Sequence, residues 1–69
     1  MPRGTVLWFS DQRGYGWIDL PNRAERIFVH YNDIDAAGFR TLSSGDFVEF
    51  NIEISAKGPK AVNVVRLSV

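Results

Sequence analysis

The sequence predicts an all-β fold, a five-stranded antiparallel barrel, and three observations carry that prediction. Five runs rich in β-branched and aromatic residues are separated by short polar or glycine-containing turns, with almost no helical periodicity between them. The chain has 69 residues and no cysteine, so its single thin core has no disulfide to staple it. A small closed barrel is an economical solution at that size. Residues 1–69 are accordingly expected to form one domain.

Gly4 to Ser10 reads as the first strand, carrying Thr5, Val6, Leu7, Trp8 and Phe9. Trp8 and Phe9 have opposite parity, and Phe9 is the one expected at the core or rim. Asp11 to Gly14 is a polar turn into the second strand, Tyr15 to Leu20. There Tyr15 and Trp17 project from one face, while Gly14, Gly16 and Ile18 project from the other. This is unusual, because large apolar groups normally go inward. Glycine on the inner face marks a bend or the close approach of another backbone.

Pro21 to Glu25 is a charged loop leading to the third strand, Arg26 to Tyr31. Ile27 and Val29 share its inner face, and Phe28 and His30 its outer face. Antiparallel pairing of the second and third strands brings Tyr15 and Trp17 beside Phe28 and His30. Asn32 to Gly45 reads as loop, with Asn32 and Asp33 capping a short helical turn over Ile34–Ala37 that Gly38 ends. Ser43 to Asp46 is a turn. In the fourth strand, Phe47 to Ile54, alternation sends Val48, Phe50, Ile52 and Ile54 to the core and leaves Phe47 as a surface ring. Lys57 to Lys60 is a basic turn, and Ala61 to Leu67 a fifth strand whose apolar residues fall on both faces.

Composition narrows the function. Eight basic residues balance eight acidic ones, so any attraction for a polyanion must come from how the charges are placed. Six of the eight basic residues are arginine, suited to stacking and to forked hydrogen bonds. The absence of cysteine and a lone histidine argue against a metal site, and no cofactor is expected. His30 has no partner at a catalytic spacing, so an enzyme is not expected. No apolar run suits a membrane span or a signal peptide, which makes the cytoplasm the expected compartment. The acidic residues Asp33, Asp35, Asp46, Glu49 and Glu53 read as a solvated face.

Five blocks carry a resemblance. They are Gly4-Thr5-Val6-x-Trp8-Phe9, Arg13-Gly14-Tyr15-Gly16-Trp17-Ile18, Ile27-Phe28-Val29-His30-Tyr31, Gly38-Phe39-x-Thr41-Leu42 and Lys57-Gly58-Pro59-x-Ala61-x-Asn63-Val64. Together, in order and in register over nearly the whole chain, they resemble the bacterial cold-shock proteins. The second and third blocks look like that family's two ribonucleoprotein motifs. The resemblance implies an oligonucleotide-binding (OB-fold) barrel that binds single-stranded RNA and DNA. It implies an RNA chaperone with a role in transcription or translation at low temperature. Carried over residue by residue, the stacking platform falls on Trp8, Tyr15, Trp17, Phe28, His30, Tyr31 and Phe39, with basic contacts at Arg13 and Lys57.

The chain departs from the family pattern at several positions. Tyr15, Trp17 and Tyr31 stand where the family usually has phenylalanine, which keeps the ring and adds a polar handle. Leu7 replaces a usual lysine and Ser10 a frequent asparagine, while Arg26 replaces an acidic residue. Arg26 and Lys60 join Arg13 and Lys57 as cations expected near phosphates or edge-on to rings. A monomer is expected, with strand exchange between copies as the alternative. An exposed aromatic patch also suits a protein-, peptide- or glycan-binding barrel, which is the rival function.

Overall fold

The computed structural model describes residues 2–22, 24, 26–36 and 40–67. Five strands, β1 (Arg3–Ser10), β2 (Tyr15–Asp19), β3 (Ile27–His30), β4 (Phe47–Ser55) and β5 (Gly58–Arg66), close into a barrel in the order β1-β2-β3-β5-β4. Four of the ladders are antiparallel, and β3 with β5 is parallel. One such pair is unavoidable, because strand direction cannot alternate all the way round a closed ring of five. That parallel seam is short, pairing Phe28 with Lys60 and Val29 with Ala61.

Inside the ring, Val6, Ile18, Ile27, Val29, Val48, Phe50, Ala61 and Val64 are essentially without solvent contact. Leu20, Ile34 and Leu42 complete the core from outside the strands, and Phe9 and Ile52 pack against it. The inward alternation of β2 and β3 thus follows the sequence pattern. Among the described residues, no buried polar side-chain atom lacks a hydrogen-bond partner. No helix among them is long and apolar enough to cross a membrane.

Two bulges decide which side chains point where. In β1, Val6 lies opposite Ile18 and Trp8 opposite Trp17, so Leu7 is an extra residue without a partner on β2. The bulge reverses the parity of the strand. Val6 faces the core, yet Trp8 faces outward and Phe9 turns in. The 43–46 turn closes over this site: Val6 N–H donates to the Asp46 carbonyl, Gly45 N–H to the Val6 carbonyl, and the Ser44 hydroxyl to the Leu7 carbonyl. In β5, Glu49 pairs with Val65 and Asn51 with Val62, which leaves an extra residue on β5. Asn63 takes a left-handed backbone there, with φ of 52°. Ala61 and Val64, three apart, therefore both reach the core, which simple alternation would forbid.

Three expectations are corrected. The helical turn is a 3-10 turn at Tyr31–Asp33, starting three residues earlier than expected, and Ile34 is extended. Ile34 buries its side chain and bridges to Val64, while Asp35 N–H donates to the Val64 carbonyl. That burial outweighs the weak local preference for a helical turn. Ala37 and Gly38, the expected end of that turn, lie outside the described residues, as do Arg23 and Glu25 of the 21–25 loop. The second correction is Ile54, which is 77% exposed rather than core. It pairs with Pro59 near the tip of the β4–β5 hairpin, beyond the end of β3, where no layer covers it. Third, the 57–60 segment is mostly strand: Ser55 pairs with Gly58, leaving Ala56 and Lys57 as a tight turn.

Of the described glycines, Gly16 leaves the least room for a side chain. A Cβ built there would lie 2.2 Å from the Trp8 carbonyl oxygen and 2.8 Å from Phe9 Cα. Both are backbone atoms that no side-chain rotation can clear. Gly16→Ala is expected to destabilise the fold by about 3 kcal/mol or more, at the upper end of overpacking costs. Urea unfolding should show a lower midpoint with an unchanged slope; a midpoint equal to the parent's would mean that β1 does not press on β2.

Candidate functional site

Outward-facing rings of β1, β2 and β3 form one contiguous surface. The β2–β3 register sets Trp17 directly opposite Phe28 and Tyr15 opposite His30, as the alternation predicts. The β1 bulge adds Trp8 opposite Trp17. Trp8 meets Tyr15 edge-on with centroids 5.7 Å apart, and Tyr15 stacks on Phe28 at 5.7 Å. Phe28 in turn meets Trp17 edge-on at 5.5 Å. These separations suit aromatic pairs, each worth about 0.5–1.5 kcal/mol beyond area burial. Tyr15, Trp17 and Phe28 are half-buried because each leans on its neighbours, whereas Trp8 is 45% exposed.

His30 and Tyr31 continue the surface as a tilted pair 4.6 Å apart. His30 also caps the 3-10 turn, its Nδ1 accepting from Asn32 N–H at 3.2 Å. Nδ1 is thereby engaged, and Nε2 is the ring nitrogen left to meet a ligand. Tyr31 is held by its N–H donating to the Gly14 carbonyl, and its ring lies where a Gly14 side chain would be. With φ of +77°, Gly14 has the freedom that this turn requires. Phe39, the remaining ring of the expected platform, lies outside the described residues.

The basic residues sit at two ends of the row. Arg13 is exposed on the 11–14 turn, next to the Tyr31 anchor, and its N–H donates to Ser10 Oγ. Lys57 is exposed on the β4–β5 hairpin. That hairpin walls an open groove of about 780 Å³ whose floor is Tyr15, Trp17 and Phe28. The groove also takes in Arg26, whose guanidinium carbon lies over the Trp17 ring, 5.4 Å from its centroid. Lys60 lines it too, but its Nζ is 3.8 Å from Asp33 Oδ2, so it is partly neutralised.

Other acidic residues also hold cations. Glu49 pairs with Arg3 at 3.2 Å and Asp46 with Arg66 at 3.3 Å, which makes these more than a solvated face. Pairs this exposed contribute little to stability. The sequence pattern missed the hairpin wall, because Gly58-Pro59 reads as a turn rather than a strand start. It also missed the His30 cap, whose only signal is an acceptor two residues before a free N–H. Thr41 donates to Asp11 Oδ1, tying the loop before β4 to the turn that carries Arg13.

Residues 2–67 match the family model described as the 'Cold-shock' DNA-binding domain. The chain is similar to a cold shock-like protein of Aquifex aeolicus, 48% identical over 62 residues that span 90% of this chain and 89% of that one. It is 47% identical over 64 residues to a probable cold shock protein A of Mycobacterium tuberculosis, covering 93% and 96% of the two chains. It is also 43% identical over 65 residues to the cold shock-like protein CspE of Escherichia coli, covering 94% of each. Among solved structures, the Drosophila Unr CSD456 structure superposes with a TM-score of 0.77 at 25% identity, over 97% of this chain and 26% of that one.

His30→Ala removes both the cap acceptor and the ring against Tyr31. A stability loss of about 1 kcal/mol is expected in urea unfolding, the usual cost of a lost cap. His30→Asn, which keeps an acceptor, should recover most of it. Equal losses in the two variants would assign the effect to the ring contact alone.

Proposed function

The chain belongs to the family of the 'Cold-shock' DNA-binding domain, and on that premise we propose that it binds single-stranded RNA and DNA by stacking unpaired bases on its outward rings. The observation that carries this reading is the unbroken row Trp8–Tyr15–Phe28–Trp17, drawn from three adjacent strands and facing away from the core. A core would place such rings inside. Here aliphatic side chains with Phe50 fill the barrel, and the rings of this row stay on its outer face.

The chemistry follows from what a base offers. Every base has a π-face, so stacking tolerates sequence, at roughly 1–3 kcal/mol per base. Bases in a duplex are already stacked on each other, which directs the surface to single strands. Arg13, Lys57 and a Lys60 released from Asp33 then lie where they can meet phosphates along the row. Nucleic acid bound this way is held open by mass action, without nucleotide hydrolysis. The protein would thus act as an RNA chaperone on marginal hairpins and bear on transcription or translation at low temperature. Long duplexes lie beyond that free energy.

Two measurements test the reading. Phe28→Ala should weaken binding of a short unstructured oligonucleotide by about 1–3 kcal/mol. Phe47→Ala, at a ring 58% exposed on β4 and outside the row, should leave binding unchanged. Equal effects of the two substitutions would reject the row as the binding surface.

The second concerns salt. With formal net charge +0 and two or three cations along the row, the log–log slope of affinity against salt should lie near −2, at about 0.7 per phosphate. A slope near −8 would mean that phosphate attraction, not stacking, dominates.

A further inference from the structure

We propose that Arg26 makes this chain selective for guanine at the base seated on Trp17, an inference that rests on the stacking function above. The guanidinium carbon of Arg26 lies over the Trp17 ring, 5.4 Å from its centroid. Arg26 is exposed and lines the groove beside Lys57. Among the described residues, the ion pairs use Arg3, Lys60 and Arg66. Its forked donors are therefore not spent on a carboxylate there.

A base stacked on Trp17 sits about 3.5 Å from the ring, closer than the guanidinium carbon does now. Its arrival displaces the guanidinium sideways to the rim of the base. From the rim, a planar fork with five N–H donors meets the edge of the base in its own plane. Guanine presents two adjacent acceptors, O6 and N7, that match this fork. Adenine sets a donor beside its N7, cytosine presents a donor, and thymine presents O4 beside a methyl group. In a single strand that edge is open to contact. The tether also favours this step of the row: Arg26 directly precedes β3, and Phe28, two residues on, is the ladder partner of Trp17.

The test is a titration of the protein with short oligothymidines carrying one guanine, moved position by position. At one position guanine should tighten binding roughly tenfold over the all-thymine strand. Arg26→Ala and Arg26→Lys should both remove that gain, bringing the ratio of one-guanine to all-thymine affinity at that position to about one whatever happens to the all-thymine affinity itself, because lysine keeps the charge but lacks the fork. If the gain is absent, or persists in Arg26→Ala, guanine reading by Arg26 is wrong although stacking stands. Uniform weakening in Arg26→Ala with recovery in Arg26→Lys would make Arg26 a phosphate contact and overturn the inference as well. Failure of the parent protein to bind any of the strands would remove the stacking function, and this inference with it.

Discussion

Between Gly16 and the backbone of Trp8 and Phe9 there is no room for even a methyl group, and the outer surface depends on that contact. Because β2 presents no side chain there, β1 can lie against it while passing through its bulge at Leu7. The bulge turns Trp8 out and Phe9 in, so one missing Cβ and one extra residue together place a tryptophan beside Tyr15. The 43–46 turn then supplies hydrogen bonds to the displaced β1 backbone groups. The Val6 N–H and the Val6 and Leu7 carbonyls thus find partners in that turn, as buried backbone groups require.

The division between inner and outer faces was legible in β2 and β3 for a simple reason. Both strands are short and unbulged, so a period of two holds from Tyr15 to Ile18 and from Ile27 to His30. In β1 and β5 it fails. Uninterrupted alternation from Val6 would bury Trp8, and only the family likeness put that ring on the surface. Alternation in β5 leaves Val62 and Val64 on one face, whereas the left-handed Asn63 sends Ala61 and Val64 to the core. Bulges depend on what the neighbouring strand does, so a strand read in isolation cannot reveal them. Ile54 illustrates a different limit. Its parity is right for the core, but the barrel ends before the hairpin does.

The candidate site was legible as a set of rings more than as a charge pattern. Trp8, Tyr15, Trp17, Phe28, His30 and Tyr31 come together: strand parity and the ladder register place Tyr15, Trp17, Phe28 and His30, the β1 bulge places Trp8, and the 3-10 turn places Tyr31. The cations did not sort themselves in the sequence. Lys57 and Lys60 are three apart and equivalent on paper, yet Lys60 is held by Asp33 and Lys57 stands on the hairpin tip. Asp33 reaches that pair because the 3-10 turn starts at Tyr31 rather than Ile34, and the burial of Ile34 against Val64 fixes that start. A distant core contact thus decides which lysine is available to a phosphate.

Charge balance gives the same conclusion from the other direction. On the proposed function, a chain with no net charge gains affinity for a polyanion from a few locally placed cations and from contacts indifferent to salt. The half-buried rings supply such contacts at little entropic cost, because Tyr15, Phe28 and Trp17 already hold one another in place. Pre-ordered rings have few rotamers left to lose on binding, whereas a lysine reaching for a phosphate has many. On the proposed function, the surface therefore favours stacking over charge. In such a site an arginine placed against a ring, as Arg26 is against Trp17, contributes more through its planar shape than through its positive sign.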